Sequence, residues 1–509
     1  LLCACSILPA KDRMNPTVSS PAIVKPTSIR YGVLGFACAL SMITYLDRVC
    51  IGMASEPLRS VLGFGSVADM KWAFTAFSLA YAIFEVPTGW LGDVFGPRST
   101  LIRIVLWWSL FTALTGLTGW QVAGVTLIGF GALVAIRFLF GMGEAGAYPN
   151  ITRALHNWFP LYERALTQGA VWMSGRLMGG FTPLIWVILV EALGLSWRAP
   201  FFIFGGIGVC WCVLFTTWFR NRPEEHPGTN EAERKLIAEG AGHATAKAHA
   251  NVPWIRLLGS ANLWVLCLMY FASSYAWYFN VNYLPEYLKE QHGVQKDDII
   301  GALYKGGPLA FGAAGCILGG FLSDWFIRRT GRHKWGRRIL GIFGQSACVL
   351  CYLTCIVAPS AWTFALAIAL SGFFNDLAMG SSWATCQDIG KRYAAIVAGC
   401  MNTIGNLGGA ASAYLIGAVL DFALARHVAS LGLDLDTVKE AAKNHEPWAE
   451  EVVRTGNMHG YEINFLMFAA VCAIAVVLWF IIDATRPVVP EAPAAADEES
   501  PYEDAVPPE

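Results

Sequence analysis

Long apolar runs alternate with short polar ones along almost the whole chain. Runs near or above 18 residues recur, the length that carries a helix across about 30 Å of hydrocarbon. Twelve spans are predicted, at about 31–53, 72–92, 99–118, 121–148, 165–191, 198–218, 259–285, 300–323, 339–357, 361–386, 394–422 and 461–482. A hydrophilic stretch bearing Pro, Gly and charge, 219–258, divides them six and six. The expected fold is an all-α membrane protein of twelve transmembrane helices in two six-helix bundles, 31–218 and 259–482. Segment 1–30 precedes them as a cytoplasmic segment, with 1–13 set aside as upstream or remnant sequence before Met14. A polar segment, 423–460, separates the last two spans, and its stretch LDLDTVKEAAKNHEPWAEEVVR reads as a surface helix. The acidic tail, 483–509, reads as disordered.

Composition agrees with a bilayer setting. Of 509 residues, 55% are hydrophobic and 14% charged, where a soluble chain would carry about a quarter charged. A net charge of −1 gives no reason to expect nucleic acid. The cysteines sit mostly in apolar runs, and CVLC at 348–351 lacks a second CxxC or a nearby His, so it reads as packing. Lys and Arg fall by alternation on one side, most densely in RRTGRHKWGRR (328–338). The positive-inside rule makes that side, and both termini, cytoplasmic.

Against this background the charges inside spans stand out. Candidate acids are Asp47, Glu85, Glu144 and Asp376; candidate bases are Arg48, Arg137, Arg176 and Lys305. Arg137 and Glu144 are seven apart, hence on one helix face and about 10 Å apart along the axis. Such charges are expensive in a membrane and mark function by default. An arginine fork suits a carboxylate, and a carboxylic acid in a low-dielectric cavity can take and release a proton. These are the parts of a proton-coupled anion carrier. No histidine lies mid-span, so carboxylates would have to carry any proton. The bland alternative is that Arg137 and Glu144 pair to pin two helices, and that Glu85 pairs with a base in a neighbouring helix.

The two halves repeat each other. GWLGDVFGPRS (89–99) follows the second span and GGFLSDWFIRRTGR (319–332) the eighth; ERALTQGAVWMSGRLMGG (163–180) and KRYAAIVAGCMNTIGNLGG (391–409) enter the fifth and eleventh. Parallel six-span repeats build one common transporter architecture, with its site between the halves. The first stretch resembles the loop signature G-x-L-x-D-x-x-G-x-R of the major facilitator superfamily, through Gly89, Leu91, Asp93, Gly96 and Arg98. The second copy keeps the outline at Gly320, Asp324, Arg328 and Gly331. YLDR (45–48), RFLFGMGEAGAYPN (137–150) and SWRAPFFIFGGIG (196–208) resemble its anion:cation symporter branch. That branch includes bacterial galactonate and hexuronate transporters and is similar to sialin and the vesicular glutamate transporters.

The resemblance implies proton coupling at Asp47 and Glu144, substrate contact at Tyr45, Arg48 and Arg137, and gating at Asp93 and Arg98, with Asp324 and Arg328 in the second copy. Tyr81, one turn before Glu85, could line the same cavity. Tyr278, Asn282 and Tyr283, in a segment similar to the family's seventh span, and Asn375, Asn402 and Asn406 could offer hydroxyl and amide groups to sugar hydroxyls. Amides can equally hold helices together. Arg176 departs from the family, where a small or neutral polar residue is common; its charge would favour a substrate with a second anionic group. A structural partner such as Glu85 or Asp376 is the alternative. The expected function is proton-coupled symport of an organic anion, foremost a sugar acid of the galactonate, hexuronate or glucarate type, by a monomer in a bacterial inner membrane. The partners are the anion, protons and lipid, with no cofactor, no metal and no nucleic acid. The rivals are a proton-driven drug or metabolite exporter of the same superfamily and a non-transporting sensor. No phosphate loop, metal cluster or nucleophile motif suggests an enzyme.

Overall fold

The computed structural model describes residues 25–63, 71–122, 125–238, 252–294 and 299–489. The segment before Met14 and nearly all of the acidic tail lie outside them. Twelve long helical elements run through the described chain. In the first half they are α1 (Ile29–Met53), α2 (Lys71–Phe95), α3 (Pro97–Gly116), α4 (Phe130–Glu144, continued as Ala147–Trp158), α5 (Arg164–Val187) and α6 (Ala199–Trp218). In the second half they are α7 (Ala261–Asn282), α8 (Ile299–Thr330), α9 (His333–Val357), α10 (Ala361–Leu377, continued as Met379–Gly390), α11 (Ala394–Ser430) and α12 (Pro447–Ile481).

Several boundaries differ from the apolar pattern. The fourth span was expected from residue 121, but Gln121–Val122 pairs antiparallel with Val125–Thr126, and α4 starts only at Phe130. The run 121–129 is apolar enough to be counted as helix, yet 121–122 and 125–126 within it are short paired strands. Both α11 and α12 extend well past the apolar runs into 423–460, and between them Leu435–Lys443 forms a helix whose N-terminus is capped by the Asp434 carboxylate at 2.9 Å from Thr437 N. Hydropathy marks the bilayer limit and says nothing about where hydrogen-bonded helix ends.

The outer surface is apolar: Val213, Leu214, Leu350 and Val477 are all about 60% exposed or more in the protein alone, as side chains facing lipid must be. Lipid tails are as apolar as leucine, so packing between helices relies on close approach at small residues. A Cβ on Gly89 would lie 2.7 Å from Ala395 O, and one on Gly320 would lie 2.4 Å from Ala165 O, so α2 meets α11 and α8 meets α5 backbone to backbone. These two contacts join the halves and are related by the internal repeat.

The turn between α2 and α3 has Gly96 at φ +86°, and the equivalent turn between α8 and α9 has Gly331 at φ +67°. Side chains with a Cβ avoid that region, which explains the second glycine of each signature copy.

Candidate functional site

Between the halves lies a cavity of about 300 Å³, at the low end for ligand sites. Its wall includes Tyr45 and Arg48 from α1, Tyr81 from α2, Trp172 and Arg176 from α5, Trp277 and Tyr278 from α7, Asn375 from α10, and Asn402 and Asn406 from α11. Eight of the residues picked from sequence are thus brought together. Trp172, Trp277, Tyr270 and Met379 were missed, because in an aromatic-rich membrane chain such residues look like lipid-facing or packing groups.

Arg48 is the first charged group on this wall. Its Nε donates to Glu144 Oε1 at 2.5 Å, and its guanidinium lies 4.6 Å above the Tyr81 ring. Glu144 is therefore the partner of Arg48, and the alternative, a pinning ion pair between Arg137 and Glu144, is not formed. One correction follows. Arg137 does not line the cavity; it lies 4% exposed, with its guanidinium 4.6 Å from the Phe140 ring centre and 4.9 Å from that of Phe77. It sits two helical turns from Glu144, which places it deep among the helices of the first half. Asp47 also stands off the cavity. Successive helical residues differ by about 100°, so when Arg48 faces the cavity Asp47 faces into the first bundle. It is 3% exposed there, and neither carboxylate oxygen has a hydrogen-bond partner among the described residues.

Arg176 is the second charged group. It spans the halves to Asp376, Nε to Oδ2 at 2.9 Å and Nη2 to Oδ1 at 3.2 Å. The alternative of a structural partner is thus met by Asp376. The Trp277 ring centre lies 4.2 Å from the guanidinium, and Tyr45 Oη lies 3.4 Å from Nη1. Asn375 supports Asp376 (Nδ2 to Oδ1, 3.2 Å), and Gln345 in turn supports Asn375 at 3.2 Å.

Glu85 closes the cavity on the side of the Arg/Lys-rich loops. It is fully buried and accepts from Asn402, from Thr403 at 3.3 Å and from Asn406 at 3.4 Å. Its bonded partners are amides and a hydroxyl of the opposite half, which corrects the expected pairing with a base. The same amides are the ones picked out as a polar lining; Tyr278 Oη also donates to Asn406 Oδ1 at 3.3 Å. Tyr283 is displaced from the site: it lies five residues beyond Tyr278, on another face, and donates to Ala413 O at 2.7 Å. The side chain of Asn282 lies outside the described residues.

Beneath the cavity the repeat is used twice more. Asp93 accepts from Ala395 N (3.2 Å) and Ile396 N (2.8 Å), the first N–H groups of α11, with Arg153 at 3.5 Å. Asp324 accepts from Leu166 N at the start of α5 (2.8 Å) and from Arg337 (2.7 Å). Each signature aspartate thus sits on a helix N-terminus of the other half, where unsatisfied N–H groups and the helix dipole favour an anion. Arg328 also crosses, reaching Tyr162 O at 3.3 Å and Glu163 at 3.4 Å. Arg98 does not: it bonds Thr216 O, within its own half, because it stands where α3 begins beside the end of α6. Sequence reasoning missed the buried group around Asp388, which pairs with Arg164 (2.8 Å) and Arg337 (2.9 Å). The signal available was an acid at the end of a span beside basic loops. The hydrogen bonds that Arg153, Arg164, Arg176, Arg328, Arg337, Asp93, Asp324 and Glu85 make between the halves lie at the cavity or on its Arg/Lys-rich side. The structure is therefore tied shut on that side.

Comparison with known proteins agrees with this architecture. Residues 37–413 match the model of the Major Facilitator Superfamily. The chain is 32% identical to a probable sulfoacetate transporter of Cupriavidus necator, covering 77% of this chain and 87% of that one. It is 30% identical to a probable galactarate/D-glucarate transporter of Bacillus subtilis (78% and 87%) and 27% identical to a D-galactonate transporter of Escherichia coli (77% and 90%). A solved proton:xylose symporter shares the fold at TM-score 0.65 and 13% identity, covering 90% of this chain and 97% of that one. With two pseudo-symmetric six-helix halves around one cavity, the chain belongs to the Major Facilitator Superfamily, in its anion symporter branch, and is a multi-pass membrane transporter rather than an enzyme.

Proposed function

We propose that this protein is a proton-coupled symporter of a small organic anion, foremost a sugar acid, working by alternating access as a monomer in a bacterial inner membrane with both termini cytoplasmic. The observation that carries the reading is the Arg48–Glu144 pair at the cavity wall. While Glu144 is ionised it occupies Arg48. A proton on Glu144 weakens that hold and turns the guanidinium to an incoming carboxylate, so proton and anion arrive together. Asp47, without a hydrogen-bond partner behind Arg48, is the second proton carrier.

Tyr45, Tyr278 and the Asn375, Asn402 and Asn406 amides supply donors and acceptors for hydroxyl groups. Arg137 acts indirectly, as a fixed positive charge near Asp47 and Glu144. The ties made by Asp93, Asp324 and Arg328 hold the cytoplasmic side shut, and occupancy that favours the inward-open form releases them. Coupling requires that proton and anion each bind one form better than the other.

The test is uptake into proteoliposomes of labelled sugar acids and dicarboxylates, with and without an inward proton gradient. Accumulation above equilibrium only with the gradient is the expected result. Equilibration that ignores the gradient, or no uptake of any acid, would remove the reading.

A further inference from the structure

We propose that Arg176 reads a second anionic group, so that the preferred ligand of the cavity is an acid charged at both ends. The inference rests on the functional reading above and adds to it the residue that selects between mono- and dianions.

Two separate cations, Arg48 on α1 and Arg176 on α5, line one cavity. A single carboxylate needs only one of them. The bonding of Arg176 shows how the second can serve. One edge of its guanidinium, Nε and Nη2, is held by the Asp376 carboxylate at 2.9 and 3.2 Å. Trp277 covers one face at 4.2 Å. The remaining edge, Nη1 with the second N–H of Nη2, is directed to the side of Tyr45, another cavity residue, whose hydroxyl is only 3.4 Å from Nη1. Guanidinium carries five N–H groups in a rigid fork. Asp376 fixes the fork, and a carboxylate or sulfonate that displaces the long bond from Nη1 to Tyr45 Oη meets a two-donor edge.

Asp376 is itself built in. A Cβ on Gly312 would stand 2.6 Å from Asp376 Oδ2, so the glycine leaves the carboxylate its place. Asn375 and Gln345 brace it from α10 and α9. Asp376 is therefore a positioning residue for Arg176, and it also limits the attraction of the site for a lone monoanion by neutralising much of the second charge. A purely structural pair would not need its arginine on the cavity wall.

The experiment uses wild-type protein in proteoliposomes and two matched probe pairs. Galactarate and galactonate differ in one terminal carboxylate; sulfoacetate and ethanesulfonate likewise. The expected result is a kcat/KM for the diacid at least about tenfold above that for the monoacid in one pair or both. Arg176→Gln abolishes this preference: the ratio of kcat/KM for diacid over monoacid falls to about one, mainly through a raised KM for the diacid. The double variant Arg176→Gln with Asp376→Asn, which leaves no unpaired buried charge, gives the same lost preference and guards against misfolding of the single variant. Wild type that transports the monoacids as well as the diacids, or variants that depress both equally, overturns the proposal while leaving organic-anion transport standing. No uptake of any of the four probes by wild type overturns the functional reading, and this inference with it.

Discussion

Asp93→Asn isolates what closure on the Arg/Lys-rich side is worth. In the native chain both Asp93 oxygens take N–H groups from the first turn of α11, at 2.8 and 3.2 Å, and the side chain is 2% exposed. An asparagine keeps one acceptor, for Ile396 N, and turns an NH₂ group towards the other N–H. The loss is one hydrogen bond to a charged group, about 1.5–3 kcal/mol, and the attraction of a carboxylate to a helix N-terminus, about 0.3–1 kcal/mol. Together these move the equilibrium between forms closed and open on this side by about 2–4 kcal/mol, or roughly 30- to 1,000-fold. Spin or fluorescent labels at the exposed Ser99 and Thr330, on a background stripped of accessible cysteines, report the separation of the halves directly. The variant should show a longer-distance population that wild type lacks. An unchanged distance distribution in a variant that folds and inserts normally would refute the claim that Asp93 holds the halves together.

The other predictions concern single parts of the same machine. Glu144→Gln keeps an acceptor for Arg48 but cannot cycle a proton; counterflow exchange of labelled anion should persist while gradient-driven accumulation disappears. Arg337→Met leaves Asp324 and Asp388 without their shared buried cation and should cost about 3–5 kcal/mol, read as a clear fall in the melting midpoint of purified protein. Gly96→Ala must force a side chain into φ +86°, ψ 151° and to within 2.8 Å of Asn221. The backbone alone costs about 1–3 kcal/mol, whereas Gly35→Ala, with nothing within 4 Å of the new Cβ, should be neutral or slightly stabilising in the same melt.

The spans and their pairing were legible because a bilayer imposes length and apolarity on every crossing, and because the repeat labels corresponding places in the two halves. The paired strands at 121–122 and 125–126 and the helices that outrun the membrane were not, since hydropathy reports the solvent and not the backbone. At the site, the family resemblance for Tyr45 and Arg48, and residue type and depth for Tyr81, Arg176, Tyr278 and the three asparagines, picked out residues that line one cavity. Partner choice was not readable. That Glu144 meets Arg48, that Arg176 meets Asp376 and that Glu85 takes amides of α11 depend on the rotation of each helix about its axis and on contacts across some 100 to 320 residues of chain. Arg137 and Tyr283 were misplaced for the same reason: a side chain one or two turns off, or on another face, shares the span without sharing the cavity.

The central claim is that proton and anion move together, and the most direct measurement is proton flux on addition of the anion alone. Proteoliposomes holding a pH-sensitive dye, at equal pH inside and out, would receive galactarate, galactonate or sulfoacetate from outside while labelled uptake is followed in parallel. The account predicts acidification of the lumen with a fixed number of protons per anion for the transported acid, and none with Glu144→Gln. Entry of the labelled anion with no change in lumenal pH would contradict it.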